Sequence, residues 1–150
     1  MPLTNAPDLT KRAPRSARVR LGGYVILPRM LDKGRATIAG TNGDYHYDCP
    51  MDQRFLSFVG IDAAALKEQL ATGAGDGEIL NWILANGKHP RTDGEIRSWT
   101  ETATERTPGD PESRTYFNDI QVKCAPLRED ICTWFDLLDA DDHVSYGGLA

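Results

Sequence analysis

Two short stretches of this 150-residue chain carry side chains able to do chemistry. The first holds Arg18, Arg20, Arg29 and Lys33 around a Gly22-Gly23 step. Guanidinium groups pair with carboxylates and phosphates, and a helix N-terminus beside them adds backbone N–H donors. Arg18 and Arg20 alternate in an extended segment and share a side, while Arg29 and Lys33 lie one helical turn apart. These cations can converge on a small anion, with Tyr24 as a wall. The second stretch is Tyr45-His46-Tyr47-Asp48-Cys49-Pro50. An imidazole such as His46 can act as a base near neutral pH. A thiol such as Cys49 becomes a nucleophile beside a cation, and a carboxylate such as Asp48 can orient a histidine. In an extended segment His46 and Asp48 share a face and Cys49 points away, unless Pro50 bends the chain. The spacing alone therefore does not dictate a local triad.

Other arrangements are poorer. His46 and Cys49 have the separation of a metal-ligand pair, but no second His/Cys pair completes a zinc site, so no metal is expected. Cys124 and Cys132 flank Pro126 and read as helix residues, and His89 sits in a turn before Pro90. Gly73-Ala74-Gly75-Asp76-Gly77 lacks the Lys-Ser/Thr of a phosphate loop and reads as a helix–helix turn. No cofactor fingerprint is present, and none is expected. Asp136, Asp139, Asp141, Asp142 and His143 crowd the C-terminal end of the last predicted helix, where negative charge opposes the helix dipole. Pairing with the basic segment from Lys11 to Arg35 is the favoured explanation. A solvated face comes next, and a divalent cation is the third option.

The elements that must position these groups are mostly helical. Pro28 suits a first helical turn, and Leu27, Met30, Leu31 and Gly34 then form one stripe. Asn42-Gly43 favours positive φ, so residues 36–48 read either as a small β-hairpin or as a bare turn between helices. Helix starts are expected at Asp52, Asp62, Asp76, Thr92 with Glu95, and Asp110-Pro111. Gly73, Gly87, Pro108 and Pro126 are stops. Leu127, Ile131, Trp134, Phe135 and Leu138 share helical periodicity and predict a last helix running from about residue 127. The expected fold class is mainly α: one compact domain of six or seven helices over residues 18–150, with residues 1–17 as an extended N-terminal arm.

Composition bounds the function. Hydrophobic content is 40% and charged content 26%, which suits a packed core. The net charge of −5 argues against nucleic-acid binding, and residues 76–87 carry no Lys or Arg to meet phosphates. No run approaches the roughly 18 apolar residues of a membrane span. The N-terminus lacks the apolar core of a secretory signal, and three unpaired-looking cysteines suit a reducing cytoplasm.

Arg18 to Arg35, Tyr45 to Pro50, and Trp134-Phe135-Asp136-Leu137-Leu138-Asp139, in that order, carry a resemblance. The chain resembles the proteins catalogued as domain of unknown function 5069 over nearly its whole length. The resemblance implies a small, single-domain bacterial protein and brings no activity, cofactor or catalytic residue with it. The residues point first to a noncatalytic cytoplasmic module that binds a small anionic metabolite or a protein partner. It would use Arg18, Arg20, Tyr24, Arg29 and Lys33. The alternative is a small enzyme that acts on an anionic substrate with His46, Asp48 or Cys49. That reading requires the two stretches to meet in space. Neither nucleic acid nor membrane is an expected partner, and the oligomeric state is not legible.

Overall fold

The computed structural model describes residues 3–150 and contains seven helices in one domain. They are α1 (Leu27–Ala39), α2 (Pro50–Val59), α3 (Ala63–Ala71), α4 (Asp76–Asn86), α5 (Asp93–Thr104), α6 (Pro111–Cys124) and α7 (Trp134–Ser145). No strand forms among the described residues. Residues 36–39 extend α1, which ends on Gly40 in the left-handed conformation, and Asn42-Gly43 lies in the loop that follows. Of the two expectations for residues 36–48, the bare turn is what the chain adopts.

Helix α1 is the centre of the molecule. Every residue from Leu27 to Ala36 is buried, including Arg29, Asp32, Lys33 and Arg35. A tight Gly22-Gly23 turn aims the chain into it. The turn is closed by reciprocal backbone hydrogen bonds of 3.0 Å between Leu21 and Tyr24. Both glycines have positive φ, and a Cβ on Gly22 would lie 2.7 Å from Leu80. Pro28 occupies the first turn of the helix. Gly34 faces α3, where an added Cβ would stand 2.6 Å from Leu70 and 3.2 Å from the Tyr47 ring. The largest core cluster joins Tyr24, Leu27, Met30 and Leu31 to Phe55, Leu56, Leu66, Leu70, Ile79 and Ile83. A second cluster between α6 and α7 contains Phe117, Cys124, Ile131 and Leu137.

Local caps set most of the other helix starts. Asp62, Thr92, Asp110 and Thr133 each accept a backbone N–H from their own first turn. The last helix starts later than its periodicity predicts. Leu127 is 92% exposed, and α7 begins only at Trp134. Pro126 ends α6, and Thr133 with Asp136 forms a reciprocal capping box that sets the new start. The N-terminal arm is docked along the domain. Leu9 and Ala17 are buried, Leu9 N–H donates to the Thr41 carbonyl at 2.8 Å, and Tyr146 Oη donates to the Leu9 carbonyl at 2.6 Å.

Replacing Gly34 by Ala should lower stability by about 1–3 kcal/mol, because the α1–α3 contact must open. Thr133→Ala should cost about 1 kcal/mol through loss of the α7 cap. Urea denaturation followed by circular dichroism checks both, and a neutral Gly34→Ala would mean that Leu70 yields its space freely.

Candidate functional site: a polar cleft above helix α1

The charged side chains of α1 are buried, and each needs a counter-charge. Arg29 Nη1 lies 2.7 Å from Asp142 of α7, and Nη2 lies 3.2 Å from the other oxygen of that carboxylate. Its guanidinium also sits 5.4 Å from the centre of the Tyr45 ring, and Tyr45 Oη donates to Asp142 at 2.8 Å. Lys33 Nζ stands 3.0 Å from Asp52 of α2 and 3.2 Å from Cys49 Sγ. Arg35 reaches Asp76 at 2.7 Å, a carboxylate it shares with Arg15. Arg15 also holds Asp32 at 3.0 Å. Arg18 joins the start of α7, pairing with Asp136 and, at 2.9 Å, with Asp139. The basic and acidic ends of the chain are therefore paired.

Above Arg29 and Lys33 opens a cleft of about 800 Å³. Leu9 and Thr10 of the arm form one rim, and the 43–49 loop forms another with Tyr45, His46 and Cys49. The far wall is Tyr116 of α6 together with Asp141, Asp142 and Tyr146 at the end of α7. Cys49 is half-buried and sits at the N-cap of α2, with Pro50 in the first turn. Asp52 holds this corner: it accepts from the backbone N–H of Asp48 at 3.0 Å and of Cys49 at 3.4 Å.

The cleft unites part of what the sequence points to. Arg29, Lys33, His46 and Cys49 all line it. Arg18, Arg20, Tyr24 and Asp48 do not. Arg18 is committed to α7, and Arg20 is exposed outside the cleft. Tyr24 is buried in an aromatic cluster with Phe55, Phe58 and Trp99. Asp48 adopts a positive φ of 64° and accepts from Gln53, so it does not orient His46. One basic patch of Arg18, Arg20, Arg29 and Lys33 is therefore not what the chain builds. Each of Arg18, Arg29 and Lys33 already has an aspartate, which removes most of the pull on an external anion.

Sequence reading has Asp142 among the acids that pair with the basic segment and Asp52 at a helix start, but places neither in the site, and it misses Tyr146. A signal for Asp52 exists in Cys49-Pro50-Met51-Asp52, where an acid three residues after a helix start can bond back to the cap. Among the described residues, no three His, Cys, Asp or Glu side chains group closely enough to hold a metal ion. No helix is long and apolar enough to cross a membrane.

The carboxylates of the site differ in electrostatics. Burial tends to raise the Asp76 carboxyl, but hydrogen bonds from Arg15 and Arg35 outweigh it and hold the group below its ordinary range. Asp136 is likewise lowered, because the Thr133 and Cys132 backbone N–H groups overcome its burial. Asp141 is raised, first by burial and then by the neighbouring Asp142. A lowered carboxyl adds stability that is complete above its unfolded value and is lost as pH falls through the folded one. Asp76 and Asp136 should thus make the fold lose stability below about pH 4. A raised carboxyl has the opposite sign, so Asp141→Asn should raise the melting temperature at pH 7. Asp142→Ala leaves Arg29 buried without its partner and should cost about 3–5 kcal/mol. Thermal melts of the three forms from pH 3 to 8 check these signs.

No curated protein matches the chain. The model of the family described as domain of unknown function (DUF5069) matches residues 11–144. With nearly all of the folded domain inside that match, the chain belongs to the DUF5069 family.

Proposed function

We propose that the protein is a small cytoplasmic enzyme that takes a polar small molecule into the cleft above α1 and uses the Cys49 thiol as its reactive group. The observation that carries this reading is the 3.2 Å contact between Lys33 Nζ and Cys49 Sγ in the wall of the cleft. The sulfur stands at the N-cap of α2, within hydrogen-bond reach of a buried ammonium, and lines the open cleft. Lys33 is fixed there by Asp52, so the N–H donor against the sulfur keeps one geometry. His46, at the mouth of the same cleft, is the residue placed to exchange a proton with substrate or water. Tyr45 and Tyr146 supply polar edges for orienting the ligand. The free thiols fit a reducing compartment.

A second reading, noncatalytic binding in the same cleft, is favoured by one observation. Asp48 is turned onto Gln53, which leaves His46 without a carboxylate to orient it. The two readings differ in whether Cys49 reacts.

Cys132 is exposed and Cys124 is buried, so the chain carries its own controls. Alkylation by iodoacetamide at pH 7, followed by peptide mass spectrometry, should modify Cys49 faster than the more accessible Cys132. The double variant Lys33→Met/Asp52→Leu, which removes the buried pair together, should slow Cys49 by about tenfold while leaving Cys132 unchanged. Slower reaction at Cys49 than at Cys132 in the natural chain would remove the enzyme reading and leave binding.

A further inference from the structure

A second site lies away from the cleft, on the face between α2 and α5. There a groove of about 370 Å³ is lined by Arg54, Ser57, Phe58, Trp99, Thr102 and Arg106. Its floor is aromatic and rigid. Trp99 stacks on Phe58 with ring centres 5.5 Å apart and planes 24° from parallel. The indole is also met edge-on by Tyr24 at 5.7 Å and Phe55 at 6.0 Å. Three rings therefore hold Trp99 in place while part of its surface faces the groove. A wall ordered in advance loses little entropy when a flat molecule settles on it.

The charges of the groove differ from those of the cleft. In the cleft, Arg29 and Lys33 each carry an aspartate. Among the described residues, neither the Arg54 nor the Arg106 guanidinium makes an ion pair or donates a hydrogen bond to the protein. Arg91 holds the ring of Phe58, with its guanidinium 4.0 Å from the ring centre, but is itself tied to the Phe58 carbonyl and Glu95. Ser57 and Thr102 add hydroxyl groups beside the two free cations. Two guanidiniums without an acidic partner thus stand at the edge of an aromatic floor. Guanidinium favours carboxylate and phosphate, and an indole face favours a planar ring.

We infer that the groove between α2 and α5 binds a small compound in which a planar ring carries one carboxylate or phosphate. The ring lies against Trp99, and the acid is held between Arg54 and Arg106. The size of the groove falls within the range of small-molecule sites and suits one ring with a short acidic arm. The site is independent of Cys49 and of any reaction in the cleft.

Titration of the natural chain with indole-3-acetate and with adenosine monophosphate, followed by the indole N–H signals in a proton–nitrogen NMR spectrum, tests this. Trp99→Phe identifies the signal of Trp99. The expected result is a saturable shift of that signal, with one acid type binding more tightly and so naming the source. Arg54→Gln and Arg106→Gln should each weaken binding by about tenfold, because each removes one charge-assisted hydrogen bond to the acid. Cyclohexanecarboxylate, which keeps the charge without a flat face, and indole-3-acetamide, which keeps the face without the charge, should both bind more weakly. The inference is overturned if the Trp99 signal stays fixed to about 10 mM ligand, a concentration well above ordinary small-molecule affinities. It is equally overturned if both arginine variants bind as the natural chain does, or if the two control compounds bind equally well.

Discussion

Desolvation of charge on one helix is the constraint that orders the rest of this fold. Helix α1 is buried along most of its length and yet carries Arg29, Lys33 and Arg35, each about 95% shielded from solvent. An unpaired buried cation costs several kcal/mol, more than any single apolar contact returns. Each cation therefore requires an acid, and the acids come from three different helices: Asp142 from α7, Asp52 from α2 and Asp76 from α4. Meeting these demands fixes the positions of those helices around α1. The N-terminal arm adds Arg15 to the Asp32 and Asp76 carboxylates, which converts a peripheral segment into part of the same network.

The cleft is a by-product of that arrangement. Its floor consists of cations already neutralised from within, so it is polar without presenting a strong field to an external anion. What it does present is a sulfur beside an ammonium, an imidazole at the mouth and the phenols of Tyr45 and Tyr146. Tyr45 is raised far above its ordinary value, first by burial and then by its hydrogen bond to Asp142, so it acts there as a neutral donor. Asp141, in the wall, is held above the ordinary carboxylate range by its burial and by the neighbouring Asp142. A group kept in an unfavourable state by its neighbours is where stability and ligand binding can trade against each other.

Helix α2 links the two regions that can take ligands. Its N-cap Cys49 and its first-turn Met51 border the cleft, while Arg54 and Phe58 face the groove shared with α5. The two regions are built by different physics. In the cleft, buried pairs set the geometry and leave little free charge. In the groove, packed rings set the geometry and the charges stay free.

Much of the fold is legible in the sequence, because helix starts and stops are local. Asp62, Thr92-Asp93-Gly94-Glu95 and Asp110-Pro111 act within four residues of themselves, and the stripe from Leu27 to Gly34 needs only helical periodicity. The start of α7 was harder to see because two local signals compete there. The apolar period extends back to Leu127, but the Thr133 capping box ends up as the boundary. The candidate site is half legible. His46 and Cys49 stand out by type, and the acids at the end of α7 stand out by opposing the helix dipole. Their partners are legible only as a segment, Lys11 to Arg35; which arginine meets which aspartate is not, because Arg18 and Asp139 are separated by 121 positions and Arg29 and Asp142 by 113. No local rule spans that distance. Residue types and caps thus determined that there would be helices, a basic start and an acidic end. Only tertiary packing decided which arginine would meet which aspartate, that Tyr24 would be core, and that Lys33 would come to rest against Cys49. Pairing across the chain depends on which faces meet once all the helices have found their buried sides.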